Sequence, residues 1–191
     1  INSTKISYLT HEENNKKSIS GNYVNVLFKD SKGCVWVGSR EGGLDRIDPQ
    51  NLDITRYSHE SHDSDLNVNL PENSVYDLYE VDDENIWVGS NGGLILFNRE
   101  DESYKIYNYD ANDTSSISGN QISAIIKDKE KTFWIGTYGT GLNKFDPVTE
   151  TFVRYTSQNN NIPDNTIYKI LEDYNGNLWI ATASGIARFN S

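Results

Sequence analysis

Positive charge is scarce in this chain: 17 Lys and Arg stand against 28 Asp and Glu, a formal net charge of −11. Nucleic acids and anionic membranes need clustered cations to neutralise phosphate, so neither is expected as a partner. Cysteine is scarcer still. Cys34 stands alone, which excludes an internal disulfide, and it reads as a small half-buried residue rather than a reactive thiol. Apolar runs are short: Leu94-Ile95-Leu96-Phe97 is representative, far below the ~20 residues a membrane helix needs. No direct membrane contact is expected of this segment. The chain opens at Ile1 without a charged-then-apolar leader, and it reads as a slice of something longer.

Catalytic signatures are missing too. There is no Gly-x-Ser-x-Gly elbow, no His-Glu-x-x-His and no phosphate-cradling glycine loop, and the three histidines are His11, His59 and His62. No catalytic residue and no cofactor are expected, and the segment reads as non-enzymatic. The acidic runs Asp82-Asp83-Glu84 and Glu100-Asp101-Glu102 fall at turns and read as solvated surface. His59-Glu60-Ser61-His62-Asp63-Ser64-Asp65 gathers two imidazoles and three carboxylates, but it lies in a long connection and reads as loop. No metal is expected.

What the chain does have is a tryptophan that returns four times, at Trp36, Trp87, Trp134 and Trp179. Each sits in the same surroundings: Val35-Trp36-Val37-Gly38, Ile86-Trp87-Val88-Gly89, Phe133-Trp134-Ile135-Gly136 and Leu178-Trp179-Ile180-Ala181. The intervals of 51, 47 and 45 residues are nearly even, and a period of this size marks one supersecondary unit copied along the chain. Upstream of each lies Asn-x-(Val/Ile)-x-x-(Leu/Ile), beginning at Asn22, Asn73, Asn120 and Asn165. The i, i+3 spacing is helical, but Asp30, Asp82, Asp128 or Asp173 closes each segment within about seven residues, too short for a stable helix. Rich in Val, Ile and Tyr, these segments read as strands.

Asp-x-x-Gly turns such as Asp30-Ser31-Lys32-Gly33 then make a hairpin to the tryptophan strand. A second hairpin runs through Gly42-Gly43, Gly92-Gly93, Gly139 with Gly141, and Gly185 into short third strands. Those stop at Asp48-Pro49, Asn98-Arg99, Asp146-Pro147 and Asn190-Ser191, and fourth strands end in Tyr57, Tyr107 and Tyr155. Four antiparallel strands per repeat make a β-propeller blade. The expected fold is all-β: an outer strand of a preceding or composite blade at 1–10, blade 1 at 18–58, blade 2 at 70–108, blade 3 at 117–156 and a three-stranded blade 4 at 162–191. Lys5-Ile6-Ser7-Tyr8 reads as a fourth strand without its first three. It therefore suits a last blade composed of both termini, while a segment cut from a larger propeller would show the same ends.

The chain lacks the Gly-His and Trp-Asp dipeptides of WD repeats, and its Trp precedes the glycines, unlike kelch repeats. The ordered string is Ser-Ile-Ser-Gly-Asn (Ser18 to Asn22, Ser116 to Asn120), then Val-x-x-Leu, Asp-x-x-Gly, Leu-Trp-Ile-Gly-Thr, Gly-Leu-x-Arg-Phe-Asp-Pro and Phe-x-x-Tyr. It closely resembles the two-component regulator propeller repeat of extracytoplasmic sensor regions in hybrid two-component systems of Bacteroides-type bacteria. That resemblance implies a periplasmic part of an inner-membrane receptor. It also implies detection of glycan-derived oligosaccharides and signalling through a histidine kinase elsewhere in the parent protein. There are departures: Ala181 replaces the glycine after Trp179, blade 2 has one residue fewer between Asp82 and Trp87, and blade 4 leads in with Asn161-Ile162-Pro163-Asp164-Asn165.

The four tryptophans read as blade-packing wedges, because they recur with apolar neighbours in every repeat. Function is sought instead where the repeats disagree. After the first Val or Ile of each inner strand the next residue runs Asn25, Tyr76, Ser123, Tyr168, expected to face the central channel. The second-hairpin tips run Arg40-Glu41, Asn91, Tyr138 with Thr140, and Ala183-Ser184, on one face with Tyr23. Arg40, Glu41, Asn91, Tyr138, Thr140, Tyr23, Tyr76 and Tyr168 are the candidate ligand-binding residues, since hydroxyls, amides and stacking rings suit an oligosaccharide. Two other classes stay open. One is a propeller scaffold for self-association, which the apolar end faces of an open four-blade array favour. The other is a streptogramin-lyase-like enzyme, which needs a His and Glu pair converging on the channel.

Overall fold

The computed structural model describes residues 7–57, 70, 74–159 and 162–190. Among these there is no helix. The first sheet holds β1 (Val24–Lys29), β2 (Val35–Ser39), β3 (Leu44–Ile47) and β4 (Ile54–Tyr57); the second holds β5 (Val75–Glu80), β6 (Asn85–Ser90), β7 (Leu94–Asn98) and β8 (Tyr104–Tyr107). The third holds β9 (Ile122–Lys127), β10 (Phe133–Thr137), β11 (Leu142–Asp146) and β12 (Thr151–Tyr155), and the fourth β13 (Ile167–Glu172), β14 (Leu178–Thr182) and β15 (Gly185–Phe189). Every sheet is antiparallel and follows chain order from an inner to an outer strand. The sheets pack side by side through their inner strands, β1 against β5, β5 against β9, β9 against β13. These are propeller blades.

Each inner strand carries a β-bulge. In β1 the register passes from Val24↔Ser39 to Val26↔Gly38, leaving Asn25 unpaired, and Tyr76, Ser123 and Tyr168 are skipped in the same way. An extra residue places side chains three apart on one strand face instead of two. That accounts for the i, i+3 pattern: Val75 with Leu78, Ile122 with Ile125 and Ile167 with Ile170 are buried pairs.

Blades interlock through aromatics. Trp36 stacks on Tyr57 of its own blade at 6.0 Å and 19°, and meets Phe97 of blade 2 edge-on at 6.0 Å. Trp87 meets the corresponding Tyr107 and Phe145 edge-on, and Trp134 the corresponding Tyr155 and Phe189 at a tilt. The glycine two residues after each tryptophan admits the next blade: a Cβ on Gly38 would lie 2.5 Å from Val75 Cγ1, on Gly89 2.9 Å from Ile122 Cγ2, and on Gly136 2.6 Å from Ile167 Cγ2. Ala181 replaces that glycine where no further blade packs among the described residues. The same openness leaves Trp179 38 % and Ile186 69 % exposed, and at the opposite end leaves Leu27 67 % exposed where its counterparts Leu78, Ile125 and Ile170 are buried.

Three tryptophans donate Nε1–H to the aspartate that opens their own hairpin: Trp36 to Asp30 at 2.8 Å, Trp134 to Asp128 at 2.7 Å, Trp179 to Asp173 at 2.9 Å. Blade 2, one residue shorter in that turn, puts Val81 at this spacing, and Trp87 Nε1 is buried without a partner among the described residues. Asp82 instead accepts from Glu84 and Asn85 N–H within the turn. Blade 2 also replaces the turn proline with Arg99, which is buried between blades 1 and 2. Its Nη1 lies 3.0 Å from Asp30 Oδ2 and 2.8 Å from Glu80 Oε1. Burial opposes ionisation of Asp30, but the donors Trp36, Cys34 and Arg99 outweigh it and hold the carboxyl below its ordinary range.

The expected outer strand at 1–10 is not formed by its described part. Residues 7–10 lie in no strand, Tyr8 is 85 % exposed, and β15 has no fourth partner among the described residues. His11 N–H donates to Asn22 Oδ1 at 2.8 Å, as Tyr109 N–H does to Asn120 Oδ1 just after β8, but residues 7–10 pair with no sheet edge among the described residues. A last blade composed of both termini is therefore not present among the described residues. The histidine-rich stretch His59 to Asp65 lies outside the described residues.

Candidate functional site

Each second-hairpin tip is tied back to the start of its own inner strand by one backbone bond: Arg40 N–H to Tyr23 O at 2.9 Å, Asn91 to Ser74 at 3.1 Å, Tyr138 to Gln121 at 2.8 Å and Ala183 to Thr166 at 3.1 Å. Because blades repeat side by side, this bond sets Arg40, Asn91 and Tyr138 on one face of the propeller together with the lead-in segments. Two groups of side chains form there.

In blade 1, Arg40 Cζ stands 5.5 Å from the Tyr23 ring centroid. Beside it His11, Ser20, Gly21, Asn22, Tyr23 and Glu41 line an open cleft of about 480 Å³. The lead-in loop is firmly held. Arg56 Nε donates to Ser18 O at 2.6 Å and its Nη2 to Asn15 O at 2.7 Å. Below, Ser20 N–H and Oγ–H both donate to buried Asp45 Oδ2 at 2.9 Å. Burial pushes the Asp45 carboxyl up to about 6, with the Ser20 bonds opposing it only in part. The His11 ring, its Nδ1 2.9 Å from Ile19 O, is fixed as a Nδ1–H donor.

In blades 3 and 4, the half-exposed rings of Tyr138 and Tyr168 meet at 6.2 Å and 59°. Tyr168 owes its direction to the bulge in β13, which re-aims a side chain that a regular strand would turn away. The lead-in of blade 3 copies that of blade 1: Tyr109 N–H donates to Asn120 Oδ1 at 2.7 Å, Arg154 Nε to Ser116 O at 2.8 Å, and the Arg154 guanidinium covers the Tyr109 ring at 5.3 Å.

Other expected positions serve the scaffold. Asn25 Nδ2 donates to Val75 O at 2.9 Å and Ser123 Oγ–H to Ile167 O at 2.5 Å, so these two bulge residues bridge to the next blade rather than stand free in the channel. Thr140 Oγ1–H donates to Thr137 Oγ1 at 2.7 Å and is part of the Ser118 network. Asn91 is exposed and joins neither group, and Tyr76 is half-buried at its bulge. Along the inner strands, Lys169 Nζ of blade 4 reaches Asp77 Oδ2 of blade 2 at 3.5 Å, and Ile125 N–H of blade 3 donates to the same oxygen at 2.8 Å. Burial raises the Asp77 carboxyl above its ordinary value, against the pull of Lys169.

Two residues were missed in the sequence, His11 and Tyr109, which border the face at equivalent places. A signal existed: each precedes by eleven residues the asparagine that caps it, Asn22 or Asn120. Among the described residues no group of three or more His, Cys, Asp and Glu converges as a metal site. The assembled chemistry is ring faces beside hydroxyl, amide and charged groups, suited to contact with a polyol.

The repeat has known counterparts. The family model described as "Two component regulator propeller" matches residues 18–41, 69–92, 116–139 and 161–184. Histidine kinase P4 of Formosa agariphila is 37 % identical over 165 residues, covering 85 % of this chain and 12 % of that protein. The extracellular domain of a one-component system of B. thetaiotaomicron superposes with a TM-score of 0.74 at 25 % identity, over 88 % of this chain and 24 % of that one. That of a hybrid two-component system of the same organism gives 0.69 at 23 %, over 97 % and 31 %, a likeness of fold. The chain thus spans a minor part of each.

Proposed function

Since the chain belongs to the two-component regulator propeller family, we propose that it is an extracytoplasmic, non-catalytic sensor segment of a hybrid two-component histidine kinase that recognises glycan-derived oligosaccharides. The observation that carries this reading is the hairpin-tip face, where Tyr138 and Tyr168 form an aromatic corner, Tyr23 and Glu41 line a polar cleft and Arg40 stands over the Tyr23 ring. An aromatic face takes the apolar side of a pyranose, and the surrounding donors and acceptors take its hydroxyls. The extracellular domains among its structural relatives support the compartment. Ligand-dependent rearrangement of packed domains in the intact receptor would carry the signal to the kinase and so to transcription.

The test is calorimetric titration of the intact receptor's sensor region with a panel of neutral and acidic oligosaccharides, on the unsubstituted protein and on Tyr23→Ala with Tyr138→Ala. A loss of affinity of about tenfold or more, equal to ~1.4 kcal/mol, with an unchanged melting temperature supports the reading. Unaltered affinity in the double variant sinks it. Self-association is the second reading, favoured by the exposed Leu27, Trp179 and Ile186 on the outer blade faces. Light scattering that shows a dimer in the absence of saccharide, and no saccharide response, would favour it.

A further inference from the structure

Blades 1 and 3 hold their lead-in loops with different atoms at the same place. In blade 3, Asn143 is buried on β11 opposite Ile135. Its Oδ1 accepts from Ser118 N–H at 2.9 Å, while its Nδ2 donates to Ser118 Oγ at 2.9 Å and to Ile135 O at 3.2 Å. In blade 1 that position is Asp45, fully buried on β3 opposite Val37 in the same register. Its Oδ2 takes both bonds from Ser20, and its Oδ1, the counterpart of the donating nitrogen, has no hydrogen-bond partner among the described residues. An ionised carboxylate can only accept, and so can the backbone carbonyl that the donor in blade 3 addresses. A bare buried carboxylate oxygen is costly, and one proton removes both the charge and the mismatch.

We infer that Asp45 carries a proton on Oδ1 in the tightly closed blade, donates it to the Val37 carbonyl, and acts as a positioning residue for the cleft. The link to the cleft is short, because the Ser20 that Asp45 grips runs directly into Gly21, Asn22 and Tyr23, which line it. The charged and titratable groups around Asp45 are Arg56 on β4 and His11 in the lead-in; both favour the anion, and burial opposes them more strongly. When the proton leaves, acceptor faces acceptor at the Val37 carbonyl and a bare charge is buried; the Ser20 bonds strengthen toward the anion but offset this only in part, so opening of the loop, which lets water reach the carboxylate, becomes easier. The sign follows from a folded-state value raised from 3.8 to about 6: the stabilisation is complete below the lower value and is lost as pH rises through the upper one. The inference stands apart from the oligosaccharide reading, since its test contains no ligand.

Side-chain carboxyl ¹³C NMR of the aspartate-labelled chain tests it directly. The Asp45 carboxyl is expected to titrate about two pH units above an ordinary aspartate, and amide exchange at Ser20 to Tyr23 is expected to quicken over the same interval beyond its normal base catalysis. D45N, which installs the arrangement of blade 3, should lose that component of exchange, and N143D should import it into Ser118 to Gln121. A carboxyl titrating at or below an ordinary aspartate, or D45N with unchanged pH-dependent exchange, overturns the inference. Should D45N fail to fold, the titration of the unsubstituted chain decides.

Discussion

Trp134 donates its indole N–H to Asp128 Oδ2 at 2.7 Å, a bond that fastens the wedge between blades to the turn that opens its own hairpin. Trp87 has no such acceptor, because the shorter turn of blade 2 sets Val81 at that spacing. Asp128→Ala leaves a buried indole N–H unpaired and should cost about 1–3 kcal/mol. Asp82→Ala leaves Trp87 as it already is and should cost less, confined to the turn. Urea denaturation of the two variants compares them.

Burial separates the four tryptophans. Trp87→Ala empties a site enclosed by Tyr107, Phe133 and Phe145 and should cost about 3–5 kcal/mol. Trp179, partly exposed on the open face of blade 4, should cost markedly less on the same change. Equal losses for the two in denaturant titration would refute the wedge role.

Blade contact at Gly136 leaves no space for a methyl group, since it would lie 2.6 Å from Ile167 Cγ2. Gly136→Ala should therefore destabilise the chain by about 1–3 kcal/mol through forced displacement of blade 4. Ala181→Gly, at the equivalent place with an open face, should stay within about 1 kcal/mol. Thermal melts of both variants give the comparison.

Arg99 sits buried between two carboxylates, Asp30 of blade 1 and Glu80 of blade 2. Arg99→Met removes the cation and leaves two acids facing each other, an expected loss of about 3 kcal/mol near neutral pH. Protonation of the acids relieves that repulsion, so the deficit should shrink as pH falls. The ordinary pKa values of Asp30 and Glu80 are the natural reference: both carboxyls lie below them in the unsubstituted protein, where burial is outweighed by donors including Arg99. Chemical denaturation at a series of pH values reads both effects.

Much of the blade was legible because its signals are local. The Asp-x-x-Gly turns, the glycines of the second hairpin and the Val-Trp-Val strands each specify their structure within a few residues, and four copies exposed the period. The (Val/Ile)-x-x-(Leu/Ile) spacing was a harder sign. Its helical look comes from the bulge residues Asn25, Tyr76, Ser123 and Tyr168, and a bulge shows only when the partner strand's register is known.

Short-range backbone preference and apolar residues recurring at nearly even intervals are enough to specify the repeat, the hairpins and the packing role of tryptophan. Tertiary structure decided which variable positions are available to a ligand. Asn25, Ser123 and Thr140 look as free in the sequence as Tyr138 and Tyr168, yet their polar atoms are taken by an adjacent blade or by the Ser118 network. A hydrogen bond between side chains or blades tens of residues apart has no local trace. The same distance in sequence hid the buried Asp45, whose meaning appears only when Asn143 stands beside it as its counterpart in another blade.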